Sequence, residues 1–107
     1  MRRVVVSGMG AVTPLGGDLE STWKNLIANK SGANHISKFD TTDFQTKISC
    51  EVPIKNDDEL LDESFDPGDW FSSKDLRKVD DFIIFGVAAA EMAIKDSLLA
   101  NSNYNPS

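Results

Sequence analysis

The chain has few of the side chains that build reactive sites. It contains a single cysteine and a single histidine among 107 residues. One cysteine cannot form a disulfide within the chain, and together with one histidine it cannot supply a tetrahedral metal site. We therefore expect no disulfide and no metal centre, and we predict a reduced, cytoplasmic setting.

Long apolar runs are also absent. The longest, from Phe82 to Ala90, is far shorter than the roughly 20 residues that a membrane-spanning helix requires. The start of the chain, Met1-Arg2-Arg3 before an apolar run, resembles a secretory signal only superficially, because glycines and Pro14 interrupt it and no small-residue cleavage site follows. The sequence predicts neither a membrane span nor an export signal.

Basic residues are too few and too scattered for nucleic-acid binding. The net charge is −6, and seven acidic residues with no basic one lie between Asn56 and Asp69. These acidic residues are Asp57, Asp58, Glu59, Asp62, Glu63, Asp66 and Asp69. Without them the chain carries a net charge of +1, which offers no clustered basic surface for phosphates. We predict an acidic surface insertion over residues 53–71; the alternative is an interaction site for a basic partner.

The first apolar stretch predicts a buried β-strand. Val4, Val5 and Val6 leave no polar face for water, and such a strand needs cover on both sides. Gly8 and Gly10 suit a backbone that turns sharply or approaches a neighbour closely. This pattern favours a layered α/β architecture, of which 107 residues supply at most one small domain.

A helix is predicted directly after the glycine turn. Asp18 is the expected N-cap, and Lys30 with Gly32 marks the expected end. One apolar stripe with a period of 3.6 residues is formed by Leu19, Trp23, Leu26 and Ile27.

The strand, turn and helix also raise the possibility of a phosphate-binding loop. Thr13 stands where a dinucleotide fingerprint needs its third glycine, and no Gly-Lys-Ser/Thr is present. Val5 likewise occupies the first glycine position of a nucleophile elbow around Ser7. We expect no nucleotide cofactor and no serine nucleophile at this turn.

The middle of the chain predicts a surface connection followed by a half-buried strand. Residues 31–45 are polar and turn-rich, and His35 lies among them as a solvated side chain. Residues 47–52 alternate, with Ile48, Cys50 and Val52 on one face. Cys50 has no basic neighbour that would activate its thiol, so a packing role is the prediction.

A long helix is predicted from Ser72 to about Asp96. Ser72, followed three residues later by Asp75, is typical of a capping box. The first turns are charged, whereas Phe82 to Ala90 is apolar on all sides, which favours a helix buried inside a larger protein. The last seven residues, 101–107, are turn-forming.

Five stretches, in this order, resemble the amino-terminal end of β-ketoacyl-acyl-carrier-protein synthases. They are RRVVVSGMGAVTPLG at 2–16, ESTWKNLIANKSG at 20–32, FDTTDF at 39–44, SSKDLRKVDDF at 72–82 and GVAAAEMAIKDS at 86–97. The chain is most similar to the elongating type II synthases of bacterial fatty acid synthesis. The resemblance implies a thiolase-like α/β fold, of which residues 1–107 form an incomplete amino-terminal portion with the first strand, helices and a peripheral strand.

The resemblance also implies an activity and partners. Such synthases join acyl and malonyl groups carried on acyl carrier protein by a decarboxylative Claisen condensation, without a cofactor, and work as homodimers. Their reactive cysteine and histidines have no counterpart in this chain. The family usually has glycine at the position of Cys50, so Cys50 is not the family's nucleophile. No catalytic residue is therefore assigned. By resemblance, Lys74, Arg77 and Lys78 are the residues that dock acyl carrier protein. The alternative is a truncated, non-catalytic product that at most contacts the carrier protein.

Overall fold

The computed structural model describes residues 1–55 and 63–99 and has a small α/β arrangement. Three α-helices are present in these residues: α1 (Leu19–Ile27), α2 (Ser73–Leu76) and α3 (Asp81–Ser97). Two short strands, β1 (Ala33–His35) and β2 (Ile48–Cys50), pair in antiparallel fashion, and a 3₁₀ turn covers Pro67–Asp69. No helix among the described residues combines the length and apolar character that crossing a bilayer demands.

The N-cap of α1 is confirmed. The Asp18 carboxylate accepts a hydrogen bond from the backbone N–H of Ser21 at 2.7 Å, which satisfies one of the free donors of the first turn. The predicted end is wrong, because α1 stops at Ile27 and Asn29 adopts a left-handed φ of 60°. Asparagine tolerates this conformation well, so it ends the helix before Lys30.

The buried face of α1 differs from the predicted one. Trp23 is 61% exposed and Ile27 is 67% exposed, whereas Asn25 is only 5% exposed. The apolar stripe therefore faces solvent in this chain and the amide faces inward. Asn25 tolerates burial because its side chain donates to the Leu15 carbonyl at 2.6 Å and to the Glu63 carboxylate at 2.9 Å.

The predicted first strand is not formed. Val4, Val5 and Val6 are 97%, 72% and 79% exposed, and the sheet of the described residues contains only β1 and β2. A strand needs a hydrogen-bonding neighbour, and none of the described segments lies beside the valines. The expected close approach of the glycines is confirmed, since a Cβ at Gly8 or Gly10 would overlap backbone carbonyl oxygens of α3.

The strand predicted over residues 47–52 is shorter, and its partner was not anticipated. β2 pairs with β1 in the register Ala33 to Cys50 and His35 to Ile48, although β1 lies in the stretch expected to be a surface connection. Ile48 is 60% exposed and Cys50 is exposed, so the predicted packing role of Cys50 is wrong. A two-stranded ribbon provides no second layer that could cover its faces.

The long helix predicted from Ser72 is divided in two. The N-cap at Ser72 is confirmed, because its hydroxyl accepts from the backbone N–H of Asp75 at 3.2 Å. The reciprocal bond of a capping box is replaced by one from the Ser72 hydroxyl to the Asp75 carboxylate at 2.9 Å. However, α2 ends at Leu76, and Asp80, with an extended backbone, is the N-cap of α3. Aspartate favours the N-cap position, and its extended conformation interrupts the helix.

A small core joins α3 to the segment that returns from the acidic insertion. Phe65, Ile84 and Ala88 are 1%, 5% and 0% exposed, and the rings of Phe65 and Phe85 meet edge to face with centroids 5.4 Å apart. Among the described residues only one face of α3 is buried, since Phe82 is 72% exposed; burial on all sides was predicted for a larger protein and stays a prediction. The extra apolar surface has no partner among the described residues.

The base of the acidic insertion is closed by backbone hydrogen bonds. Phe65 donates to the Pro53 carbonyl at 2.6 Å, and Lys55 donates to the Phe65 carbonyl at 2.8 Å. Trp70 and Phe71 pack beside the core, where the chain returns from the insertion. The acidic residues 57, 58, 59 and 62, like the tail 101–107, lie outside the described residues.

Candidate functional site

The three basic residues singled out from the sequence lie on and just after α2. Ser72 caps this helix, and Leu76 and Val79 are partly buried against the core, so the turn is held at both ends. Lys74, Arg77 and Lys78 are exposed, and none of them forms an ion pair with any residue that the structure describes. The turn therefore presents three unpaired cations to solvent.

Their arrangement differs from the continuous helix that the sequence predicted. Arg77 is the C-cap of α2, and the Lys78 N–H bonds to the Asp75 carbonyl at 3.0 Å, which tightens the last turn. All three cations still lie within five consecutive residues. The prediction that they dock a partner together is compatible with this turn and does not require one continuous helix.

Asp81 carries a negative charge three residues after Lys78, which reduces the positive potential of this turn. It is the first residue of α3, and its carboxylate lies 3.5 Å from the Lys38 ammonium. An exposed ion pair of this kind is worth little in stability, but it offsets the charge of the carboxylate locally. The interfering charge is thus partly balanced by a cation from another part of the chain.

Cys50 and His35 do not form a nucleophile and base. They lie on the β1–β2 ribbon as diagonal neighbours, because Cys50 is opposite Ala33 and His35 is opposite Ile48. Diagonal positions of an antiparallel pair are about 7–8 Å apart, whereas proton transfer needs donor and acceptor within about 3 Å. Among the described residues, no group of three metal-ligating side chains comes together either.

A polar cluster that the sequence did not predict connects α1 with the end of the acidic insertion. The Glu63 carboxylate accepts from the Lys24 ammonium at 2.8 Å and from the Asn25 amide at 2.9 Å, and the Glu63 carbonyl accepts from Gly17 N–H at 2.9 Å. Gly17 is required there, because a Cβ would lie 2.6 Å from the Phe65 backbone. The only signal for this cluster in the sequence was Asn25, a polar residue beside the apolar stripe of α1.

Glu63 is held in its charged form by this cluster. Hydrogen bonds from Lys24 and Asn25 lower the pKa of Glu63 below its ordinary value of 4.5 and outweigh the opposing effect of desolvation. Glu63 raises the pKa of Lys24 in turn, mainly through the same hydrogen bond. The cluster is therefore fully formed at neutral pH.

The pKa of Glu63 predicts a pH dependence of stability. Because the folded-state pKa is depressed, the stabilisation by Glu63 is present above pH 4.5 and is lost as the pH falls through the lower, folded-state pKa. Urea unfolding of the wild type and of Glu63→Gln should differ at pH 7 and converge in acid. A difference that stays constant with pH would contradict an ionic role for Glu63.

Comparison with known proteins gives the family. Residues 1–107 match the family described as "Beta-ketoacyl synthase, N-terminal domain". The chain is 42% identical over 104 residues to the 3-oxoacyl-[acyl-carrier-protein] synthase 2 of Vibrio cholerae, covering 97% of this chain and 23% of that protein. It is 39% identical over 97 residues to the protein of the same name from Rhizobium meliloti, covering 91% of this chain and 22% of that protein.

The chain spans less than a quarter of the length of these curated relatives. The matched residues include the capped turns at Asp18 and Ser72 and the glycines packed on α3. The chain belongs to the β-ketoacyl synthase family and corresponds to its N-terminal domain.

Proposed function

We propose that this chain is the amino-terminal part of a type II condensing enzyme of fatty acid elongation. The observation that carries the proposal is 42% identity over 104 residues to a 3-oxoacyl-[acyl-carrier-protein] synthase 2, within a family match over the whole chain. The complete enzyme transfers an acyl group to a cysteine, decarboxylates a malonyl group on acyl carrier protein and joins the two carbon chains. It works without a cofactor, in the cytoplasm, and as a homodimer.

The residues of this chain contribute structure and not the reacting groups. Condensation needs a thiolate nucleophile and donors that stabilise an enolate oxygen. Cys50 is exposed on a two-stranded ribbon and has no base within hydrogen-bonding distance. In the proposed thiolase-like fold, Val4–Val6 pairs as the first strand of a larger sheet. The exposure of these valines in this chain supports the proposal, because a strand that is apolar on both faces needs other elements to cover it.

We assign acyl-carrier-protein docking to Lys74, Arg77 and Lys78. Their exposure and lack of ion-pair partners among the described residues support the assignment, because unpaired cations on a capped turn attract an acidic partner. Arg77 can form a bidentate pair with a carboxylate. Leu76 and Val79 keep the turn fixed against the core.

A chimera tests the proposed function. Residues 1–107 replace the matching segment of the Vibrio cholerae synthase, and formation of 3-oxoacyl-carrier-protein is measured. We expect the chimera to retain condensation, since 42% identity predicts the same backbone in the segment. A deletion that lacks the segment is the matched control and should be inactive. A soluble, folded chimera without condensing activity would contradict the proposal.

The 107-residue chain alone is predicted to be inactive. We expect no acyl transfer to Cys50 from acyl carrier protein and no covalent labelling by cerulenin, an inhibitor of condensing enzymes, because Cys50 lacks a paired base. Mass spectrometry of the intact protein measures both. Stoichiometric acylation of the wild type that disappears in Cys50→Ser would make the ribbon an active-site element. An inactive, folded chain also fits the alternative of a non-catalytic product, and reading the coding sequence past residue 107 separates that alternative from the first proposal.

A further inference from the structure

The segment that carries the three docking cations has no net charge of its own. Residues 72–81 contain these three cations and also three carboxylates, those of Asp75, Asp80 and Asp81. Opposite charges within so short a segment largely cancel in the field that an approaching partner meets. A net attraction for an acidic partner at long range therefore needs a further cation beside this segment.

Lys38 supplies such a cation from a distant part of the chain. Its ammonium lies 3.5 Å from the Asp81 carboxylate, and both side chains are 58% exposed. Asp81 follows Lys78 by three residues, a stretch of chain that spans at most about 11 Å. The Debye length is about 30 Å at 0.01 M salt and about 10 Å at 0.1 M salt. The charge of Lys38 therefore acts on the docking cations when the salt concentration is low.

The backbone on both sides of Lys38 is held by other contacts. The Ser37 N–H and hydroxyl donate to the Glu51 carboxylate at 3.2 and 2.6 Å. On the other side, the rings of Phe39 and Phe44 meet edge to face with centroids 5.6 Å apart. Lys38 therefore projects from a fixed part of the loop, so that placing its ammonium beside α3 costs mainly side-chain entropy.

Stability of the fold does not account for a cation at this place. Asp81 is the first residue of α3, where the helix dipole favours a carboxylate and disfavours an ammonium. An ion pair between two exposed side chains also contributes little to folding. The main effect of Lys38 is therefore on the charge of the surface that surrounds α2.

We propose that Lys38 is a positioning residue for the docking of acyl carrier protein and acts through Asp81. By holding and neutralising this carboxylate, it changes the net charge of the docking surface from zero to +1 and leaves the three cations of residues 72–81 available to an acidic partner. The docking surface is thus formed by two segments, residues 72–81 and the loop after β1. This inference rests on the proposed docking function and adds the residue that sets its electrostatic strength.

Charge changes in the chimeric synthase test the proposal. Lys38→Ala should raise the KM for acyl carrier protein about two- to fivefold at low salt and leave kcat unchanged, because the Asp81 carboxylate then repels the acidic partner. Asp81→Asn should lower the KM by a similar factor, and the double variant should return it to the value of the unmodified chimera. Lys38→Arg keeps the charge and should have no effect. The differences should shrink as the salt concentration rises.

Lys30→Ala is the matched control, because it removes a cation at an exposed position outside both segments and should leave the KM unchanged. Circular dichroism verifies the fold of each variant. If Lys38 only supported the loop, adding Asp81→Asn would not restore the KM of Lys38→Ala. That result, or an unchanged KM in Lys38→Ala, would overturn the inference while an active chimera upholds the proposed function.

Surface plasmon resonance with immobilised acyl carrier protein separates the two proposals from the other side. Binding by the chimera that weakens in Lys38→Ala and recovers with Asp81→Asn supports the inference even if the chimera does not condense, a result that would contradict the proposed enzyme function alone. A folded chimera that neither binds the carrier protein nor condenses would overturn both.

Discussion

Replacing Phe65 with alanine is expected to remove most of the stability of the chain. Phe65 is 1% exposed and is one of only three fully packed apolar side chains among the described residues. Phenylalanine-to-alanine changes in cores cost about 3–5 kcal/mol, whereas whole domains are stable by about 5–15 kcal/mol. Because the core is small, we expect the free energy of unfolding of this chain to lie near the lower limit of that range. We therefore expect Phe65→Ala to be largely unfolded at 25 °C in urea titrations followed by far-UV circular dichroism.

Phe82→Ala is the matched control. The side chain removed is the same, but Phe82 is 72% exposed at the start of α3. Alanine also has the higher helix propensity, so this variant should be as stable as the wild type or slightly more stable. If Phe65→Ala loses no more stability than Phe82→Ala, the core does not depend on the insertion's return segment.

The helix caps could be predicted from the sequence because they depend on residues close together in the chain. Asp18 bonds to Ser21 and Ser72 bonds to Asp75, each three residues away. Such bonds form in any context that allows the helix to start. The acidic insertion's return at Trp70 and Phe71 was also predictable, because two adjacent aromatic side chains in a polar stretch favour burial.

The burial of α1 could not be predicted in this way. Its apolar stripe indicated the inner face, yet the buried residue is Asn25, whose partners Leu15 and Glu63 are 10 and 38 residues away in the chain. Periodicity records which face is apolar, but it does not record whether a partner is present to cover that face. The same reasoning accounts for Val4–Val6, which has the composition of a strand but no strand to pair with in residues 1–55 and 63–99.

The candidate docking site has some features that the local sequence predicts and others that it does not. Exposure of Lys74, Arg77 and Lys78 follows from their place in a capped turn, which local sequence predicts. The break after Leu76 comes with the extended backbone of Asp80, and the pairing of Asp81 with Lys38 depends on a contact between distant segments. Both features affect the positive potential at the three basic residues. The break places the Asp81 carboxylate in another helix, and the ion pair with Lys38 offsets its charge.

In the chimeric synthase, Lys74→Glu with Arg77→Glu is expected to raise the KM for acyl carrier protein about tenfold or more at low salt, because complementary charges become repulsive. The difference from the unmodified chimera should shrink as salt screens the surface. Neither side chain belongs to the core, so turnover of small non-carrier thioesters should stay unchanged.

Lys30→Glu with Lys47→Glu is the matched control. It changes the net charge equally at exposed positions outside α2 and should leave the KM for acyl carrier protein unaffected. An unchanged KM for acyl carrier protein in the α2 variant at low salt would refute the docking assignment, while continued condensation by that variant would leave the proposed enzyme function intact.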